Sequence, residues 1–205
     1  MSLTLIIIII TAITSVMAFS NHQLLDKLIF YPAKMNGPGE YYRFITHGLI
    51  HADWIHLFFN MYVLYIFGTQ VEYLYQGYIG KPYLYMVMYV LALIASSLPS
   101  FAKHRNNYYY SALGASGAVA AVLFTFVYYA PWSTLLIFGI IPMPAIIGAV
   151  LYLVYSAYMS RKGTDNIGHD AHFYGAVFGF IFSFLFDPSH GRVFLEQLLK
   201  PQFNF

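Results

Sequence analysis

Cysteine is absent from the 205-residue chain, and charged residues make up only 9% of it. The first absence excludes disulfide bonds, thiolate metal sites and a cysteine nucleophile, and leaves the redox compartment open. The second excludes an ordinary water-soluble domain, in which about 25% of residues are charged. Since 60% of the residues are apolar, the composition predicts an integral membrane protein with a single domain over residues 1–205.

Basic runs with interleaved aromatic residues are absent too, and the formal net charge is only +2. This pattern gives no basis for nucleic-acid binding. The apolar N-terminal stretch has no positive residue before Lys27, and no convincing cleavage site of small residues follows it. It differs in both respects from a secretory signal, so we expect it to be retained as a first membrane span.

Long apolar runs, by contrast, are frequent. A membrane-spanning helix needs about 20 mostly apolar residues, and six segments qualify as candidates. The expected fold is an all-α polytopic membrane protein, a bundle of six transmembrane helices. The predicted spans are Leu3–Phe19, Asp53–Leu74, Pro82–Phe101, Leu113–Ala130, Ser133–Met159 and Gly168–Phe186. The first loop, about residues 20–46, is far longer than the others and is therefore a candidate functional segment.

Several residues predict details of the spans. Asp53 is a candidate N-cap of the second span, and Pro131 is expected to end the fourth. The turn between the fourth and fifth spans is predicted to be very short. The fifth span is long enough to tilt, or to bend near Pro142 and Pro144.

Four polar side chains lie near the starts of the even-numbered spans. With six spans, these starts share one side of the membrane. His56 and Asn60 lie in the first two turns of the second span, Ser116 opens the fourth, and His172 lies near the start of the sixth. At 1.5 Å per residue, all four lie within about 10 Å of the same surface. Polar groups inside a span are costly and face the bundle interior, so these are functional candidates.

Ser116 has two interpretations. As a nucleophile it needs a positioned base. His172 lies at a similar depth in the membrane and could be that base. As a small residue it helps helices to pack closely, which is the better interpretation of a serine considered alone. The string GASG is not the G-x-S-x-G elbow of soluble hydrolases, because Ala118 stands at its last glycine position and no strand precedes it.

A G-x-x-x-G pair, Gly175 and Gly179, follows His172 in the sixth span. Such a stripe lets a helix lie close against a neighbour, and Gly117 of the fourth span belongs to a matching smooth surface. A short hydrogen bond between Ser116 and His172 requires this close approach. Simple bundle packing is the alternative.

His56 and Asn60 are spaced i, i+4 and share one helix face. They could donate hydrogen bonds to a developing oxyanion, or form a structural interhelical hydrogen bond. The same spacing relates His47 and His51, which would suit zinc. Because H-E-x-x-H is absent and no carboxylate lies inside a span near them, we expect neither a metal nor a cofactor.

The ordered set of motifs resembles the rhomboid intramembrane serine proteases. HADWIHLFFN opens the second span, GASG lies in the fourth, and AHFYG followed by AVFG lies in the sixth. The family's first loop is similar to EYYRFITHGLIHAD, which contains Arg43. The end of the family's next helix is similar to FGTQVE, which ends at Glu72. The resemblance runs from about Glu40 to Gly179.

This resemblance implies hydrolysis of peptide bonds in or near transmembrane segments of membrane-protein substrates, within the lipid bilayer. Ser116 would be the nucleophile and His172 the general base. His56, Asn60 and the backbone N–H of Ser116 would line the oxyanion hole. Arg43 and Glu72, by the same resemblance, would have structural roles, and no cofactor is implied. The oligomeric state stays open.

Two further expectations come from the resemblance. It implies a multi-pass protein of the bacterial inner membrane with the active site on the extracytoplasmic side, although the distribution of Lys and Arg predicts the opposite orientation. Family members often have an aromatic residue where this chain has Ala120, and that ring stacks on the catalytic histidine. Tyr174 or another tyrosine would have to replace it, and His169 has no assigned role.

Three other functions stay open at this stage. A proteolytically dead relative would bind membrane clients, but it would commonly lack one member of the Ser116–His172 pair. A zinc-dependent membrane hydrolase would be sensitive to a chelator. A small transporter is disfavoured, because charged midspan residues and paired broken helices are missing from the sequence pattern.

Overall fold

The structure is a computed structural model that describes residues 2–137, 140–162 and 169–201. Its helices are α1 (Leu3–Ser20), α2 (His22–Leu28), α3 (Arg43–Thr46), α4 (Trp54–Tyr73), α5 (Tyr83–His104), α6 (Ser116–Tyr129), α7 (Ala145–Lys162), α8 (His169–Phe186) and α9 (Pro188–Leu199). Short 3-10 turns occur at Pro32–Lys34, Pro38–Glu40 and His47–Leu49, and a π-helical turn at Leu74–Tyr78. Strands β1 (Thr134–Ile137) and β2 (Ile141–Pro144) form an antiparallel hairpin.

The mostly helical fold predicted from the sequence is confirmed. Asp53 caps α4, since its Oδ1 accepts the backbone N–H of His56 at 2.8 Å. Helix α6 ends at Tyr129, directly before Ala130 and Pro131. The prediction of the fifth span was wrong at its start, because Thr134–Ile137 and Ile141–Pro144 are paired strands and the helix begins only at Ala145. Two prolines in this stretch lack the N–H that a helix needs. The first residue of the predicted sixth span, Gly168, lies outside the described residues.

Membrane-spanning capacity differs among the described helices. By length and composition, α1 and α5 could each cross a membrane, and α8 with α9, joined through a 117° bend, would make a third span. Helix α6 is shorter, with 14 residues, and it contacts α4, α5, α7, α8 and α9. It is apolar on all sides, as expected of a helix buried at the centre of a bundle. The six-span bundle stays a prediction.

Helices α6 and α8 meet backbone to backbone. A Cβ atom added at Gly175 would overlap the carbonyl group of Gly117, and one at Gly179 would overlap the carbonyl group of Ala121. No larger residue fits at either position without moving the helices apart. This contact sets the start of α8 beside the start of α6.

Glu72, near the end of α4, fastens the first turn of α1. Its carboxylate accepts hydrogen bonds from the backbone N–H groups of Leu3 (2.7 Å) and Thr4 (3.0 Å). The hydroxyls of Ser2 (2.7 Å) and Thr4 (2.8 Å) donate to it as well. The first N–H groups of a helix have no intrahelical partner and carry partial positive charge, so a carboxylate stabilises this end.

Arg43 gathers the long first loop. Its Nε donates to Glu40 at 2.6 Å, and its Nη1 donates to the carbonyl oxygens of Asp26 (2.6 Å) and Ile29 (2.8 Å). The side chain is buried. A single guanidinium therefore ties the Glu40–Arg43 segment to the C-terminal end of α2.

Two buried histidines of the same loop bond to the helices. The Nε2 atom of His47 lies 3.0 Å from the Ser97 hydroxyl of α5. The Nε2 atom of His51 accepts the N–H of Ala115 (3.3 Å), and its Nδ1 lies 3.0 Å from the hydroxyl of Ser15, which donates to Leu49. These partners assign the proton of neutral His51 to Nδ1. Burial lowers the pKa of His47 to about 4 and that of His51 to about 3.

We predict that Glu72→Gln destabilises the protein by about 2 kcal/mol or more, because the charged acceptor of four hydrogen bonds becomes neutral and loses one oxygen. Thermal unfolding in detergent measures the change. Glu196→Gln is the control: it breaks an exposed ion pair with Arg192, which is worth less than about 1 kcal/mol. Equal losses in the two variants would contradict the assignment.

We also predict that the protein loses stability as the pH falls from about 6.5 towards 4. The unfolded chain protonates His47 and His51 below the ordinary pKa of 6.5, whereas the folded chain keeps them neutral. Each such group weakens folding by about 1.4 kcal/mol per pH unit in this window. The unfolding temperature measured against pH should fall less steeply for His51→Asn than for wild type, and an unchanged slope would refute the account. The exposed His22→Asn serves as control.

Candidate active site

Ser116 is the first residue of α6 and is partly exposed. The preceding cap position is Ala115, whose methyl group accepts no hydrogen bond. The N–H groups of the first turn are therefore not satisfied by the cap residue, and they carry the positive end of the helix dipole. The Ser116 hydroxyl thus stands beside backbone donors that are suited to a negatively charged oxygen.

A left-handed backbone turn leads into Ser116. Gly114 has φ +113°, a conformation that favours glycine. A Cβ atom there would also lie 2.7 Å from Cε1 and 3.0 Å from Nε2 of His56. The imidazole of His56 consequently packs on the backbone two residues before Ser116, which any larger residue at Gly114 would prevent.

Asn60 lies one turn deeper in α4 than His56. Its side chain is 8% exposed, and its Nδ2 donates to the backbone carbonyl of His56 at 2.9 Å. The amide nitrogen is thus used within α4. Both residues share the helix face that the sequence predicted, and the His56 ring stacks edge-on against His51 at 4.9 Å between centroids.

His172 is buried on α8, in the turn that adjoins the start of α6. The carbonyl oxygen of Ala171 lies 3.3 Å from the position of a Cβ atom at Gly117. The ring of His172 stacks on Tyr152 of α7, with centroids 5.6 Å apart and planes at 24°. Tyr152 therefore provides the aromatic contact that the sequence left unassigned.

The other candidates for that contact have different surroundings. Tyr174 is 41% exposed and makes an edge contact with Phe173. Ala120 is buried in the core between the helices. The stacking surface for His172 thus comes from α7 and not from α6.

A small polar cavity adjoins Ser116. Serine side chains of α5 and the first-loop residue His47 contribute to its wall, and the space is about 20 Å³, enough for about one water molecule. The residues that line it are Phe30, His47, Ser96, Ser97, Ser100, Tyr110, Ala112, Leu113, Gly114, Ser116, Gly117 and Ala171.

The two first-loop histidines do not converge on a common point. His47 Nε2 faces Ser97, whereas both ring nitrogens of His51 are engaged by Ser15 and Ala115. A zinc ion held by this pair would have to break the hydrogen bonds of His51. The side chain of His169 lies outside the described part of the chain.

Sequence reasoning missed two contacts of this region, that of His51 with Ala115 and that of Tyr152 with His172. His51 was visible in the first-loop motif, but its bond to Ala115 crosses from loop to helix and has no sequence signal. Tyr152 is one of 20 tyrosines, and only the packing of α7 on α8 singles it out.

Comparison with known proteins adds a family to this geometry. The Rhomboid domain family model matches residues 38–189. The chain is 28% identical over 149 residues to "RHOMBOID-like protein 12, mitochondrial" of Arabidopsis thaliana, a match covering 68% of this chain and 44% of that protein.

Two bacterial relatives match as well. "Rhomboid protease GluP" of Bacillus subtilis (strain 168) is 29% identical over 156 residues, covering 75% of this chain and 29% of that protein. "Putative rhomboid protease YdcA" of the same organism is 27% identical over 147 residues, covering 72% and 68%. The chain thus matches less than half the length of two of these three relatives.

The family match extends from the first loop, through the turn that opens α6, to the start of α9. With the apolar helices α1 and α5, it identifies an integral membrane protein. The chain belongs to the rhomboid family.

Proposed function

We propose that the protein is an intramembrane serine endopeptidase that cleaves transmembrane or membrane-proximal segments of other membrane proteins. The observation that carries the proposal is the glycine-mediated contact of α6 with α8, which sets a serine at a helix start beside a helix that carries a buried histidine. The names of the two Bacillus relatives support the same activity.

In the proposed reaction, Ser116 Oγ attacks the scissile carbonyl carbon while His172 accepts the hydroxyl proton. The tetrahedral intermediate collapses by breaking the C–N bond, and His172 donates the proton to the leaving amine. Water then attacks the acyl ester with His172 again as base, which releases a carboxylate and restores Ser116.

The oxyanion is stabilised by the N–H of Ser116, by His56 and by Asn60. The first lies at the N-terminus of α6, whose cap residue Ala115 makes no side-chain hydrogen bond, and the second packs on the backbone of Gly114. Asn60 Nδ2 would have to exchange its bond to the His56 carbonyl for one to the substrate. Loss of one such donor typically lowers the rate by about 100- to 1,000-fold.

Hydrolysis inside a bilayer needs a water supply, because lipid excludes water. The cavity beside Ser116 is large enough for about one water, and Phe30 and His47 contribute to its wall. We place the protein in the bacterial inner membrane with this side extracytoplasmic. Arg43 and Glu72 have structural roles, through the loop and α1 respectively.

We expect Ser116→Ala and His172→Ala each to lower cleavage of a reporter transmembrane segment by at least about 10,000-fold. The assay uses the full chain reconstituted in bilayers, with a chelator added in parallel. The exposed Ser111→Ala is the matched control and should keep wild-type activity.

Persisting activity in Ser116→Ala would contradict the nucleophile assignment, and inhibition by the chelator would favour the zinc hydrolase. If wild type cuts nothing, labelling by a fluorophosphonate separates two cases. A labelled Ser116 means that the reporter is unsuitable, and an unlabelled one means a proteolytically dead relative.

We expect Tyr152→Ala to lower kcat by about 10- to 100-fold, because an imidazole without its stacking surface loses the alignment that proton transfer needs. Tyr152→Phe keeps the ring and should retain most of the activity. The measurement is kcat with its pH profile for both variants, and Tyr174→Ala is the control. Equal activity of Tyr152→Ala and wild type would exclude this positioning role.

A further inference from the structure

The β1–β2 hairpin exposes an apolar tip at the end of the bundle opposite Ser116. It follows α6, whose 14 residues extend about 20 Å from Ser116. Ile140 at the turn is 78% exposed, and Leu136 and Ile141 are exposed to more than half. Scattered exposed apolar residues are ordinary on a protein surface, but a group of them on one turn indicates contact with something apolar.

The composition around the hairpin disfavours an ordinary water-facing turn. Between Arg105 and Arg161 the sequence has no charged residue and no histidine. The hairpin lies inside this segment, directly before the first, apolar half of helix α7. Turns that face water are usually rich in polar residues, with glycine or proline where the backbone requires them.

The inner face of the hairpin packs on α7. Met143 Sδ lies 3.5 Å, and Leu135 Cδ1 3.9 Å, from the position of a Cβ atom at Gly148. These two residues face each other across the ladder. Two backbone bonds close the base, from Ala145 N–H to Ser133 and from Ile146 N–H to Pro131. The hairpin is thus fixed to the start of α7.

The open edge of β2 carries few hydrogen-bond donors. Because Pro142 and Pro144 have no N–H, the donors of β2 are Ile141 and Met143, which pair with Ile137 and Leu135. In an antiparallel ladder, bonded and non-bonded pairs alternate. The prolines therefore occupy the positions whose N–H would point outwards, a device that blocks the addition of another strand.

The same end of the bundle has interfacial features. Trp132, two residues before β1, donates its Nε1–H to the backbone carbonyl of Gln197 on α9 at 2.7 Å. Helix α9 bends away from α8 by 117°, and it carries Arg192 and Glu196 as an exposed ion pair. Tryptophan and snorkelling charges mark the headgroup level of a bilayer.

We propose that the β1–β2 hairpin inserts into the bilayer at the boundary between headgroups and acyl chains and anchors the start of α7. The occupant of its apolar surface is lipid, since the surface is continuous with the exposed side chains of α7, Ile147, Val150, Leu151 and Val154. The hairpin stays at this boundary, because the β1 edge keeps backbone groups that hydrocarbon would not satisfy.

The absence of cysteine makes the test direct. Ile140→Cys is labelled with an environment-sensitive nitrobenzoxadiazole dye, and the full chain is reconstituted in vesicles of phosphatidylcholine and phosphatidylglycerol. Quenching is measured with aqueous iodide and with lipids that carry a spin label near the headgroup or deep in the acyl chain. Asn106→Cys, exposed beside Arg105, is the water reference, and Leu151→Cys on α7 is the lipid reference.

We expect the dye at position 140 to be quenched most by the shallow spin label, and to be several-fold less accessible to iodide than the dye at position 106. Quenching by iodide as strong as at position 106 would mean that the hairpin stands in water, and would overturn the proposal. Protection from iodide and from both lipid quenchers would also overturn it, because protein would then cover the tip. None of these readouts depends on proteolytic activity.

Discussion

The backbone contact between α6 and α8 is the constraint on which the proposed active site depends. Gly175 and Gly179 leave no side chain between the two helices, so their axes approach as closely as backbone atoms allow. Lipid offers little hydrophobic drive for helices to associate, which makes such smooth packing valuable in a membrane. The result is that residues from the first turns of two helices, Ser116 and His172, share one end of the bundle.

A second set of contacts fixes the chain just before Ser116. His51 accepts the N–H of Ala115, and His56 packs against Gly114, whose positive φ no other residue adopts easily. The loop that supplies His51 is itself gathered by Arg43. Polar groups buried in this way stay paired, as a low-dielectric interior requires. The backbone just before Ser116 is thus held by residues distant in sequence.

The sequence alone predicted much of this arrangement, for physical reasons that differ by residue. Apolar length and the Asp53 cap are local signals, so the helices were predictable, as was the glycine stripe of α8. The hairpin was not predictable, because residues 133–144 are as apolar as a membrane span. Only Pro142 and Pro144 distinguish this stretch from a helix that crosses the membrane. The stacking of Tyr152 on His172 joins two helices across the bundle, and no spacing rule could find it.

The central claim is that Ser116 and His172 act as one catalytic pair, and its most direct test is a double covalent link. A chloroisocoumarin acylates an activated serine and then alkylates a nearby base. Peptide mass spectrometry of the treated, bilayer-reconstituted protein should identify one reagent molecule that joins the peptide of Ser116 to that of His172. Attachment to another residue pair, or no acylation of Ser116 under conditions that preserve the fold, would contradict the account.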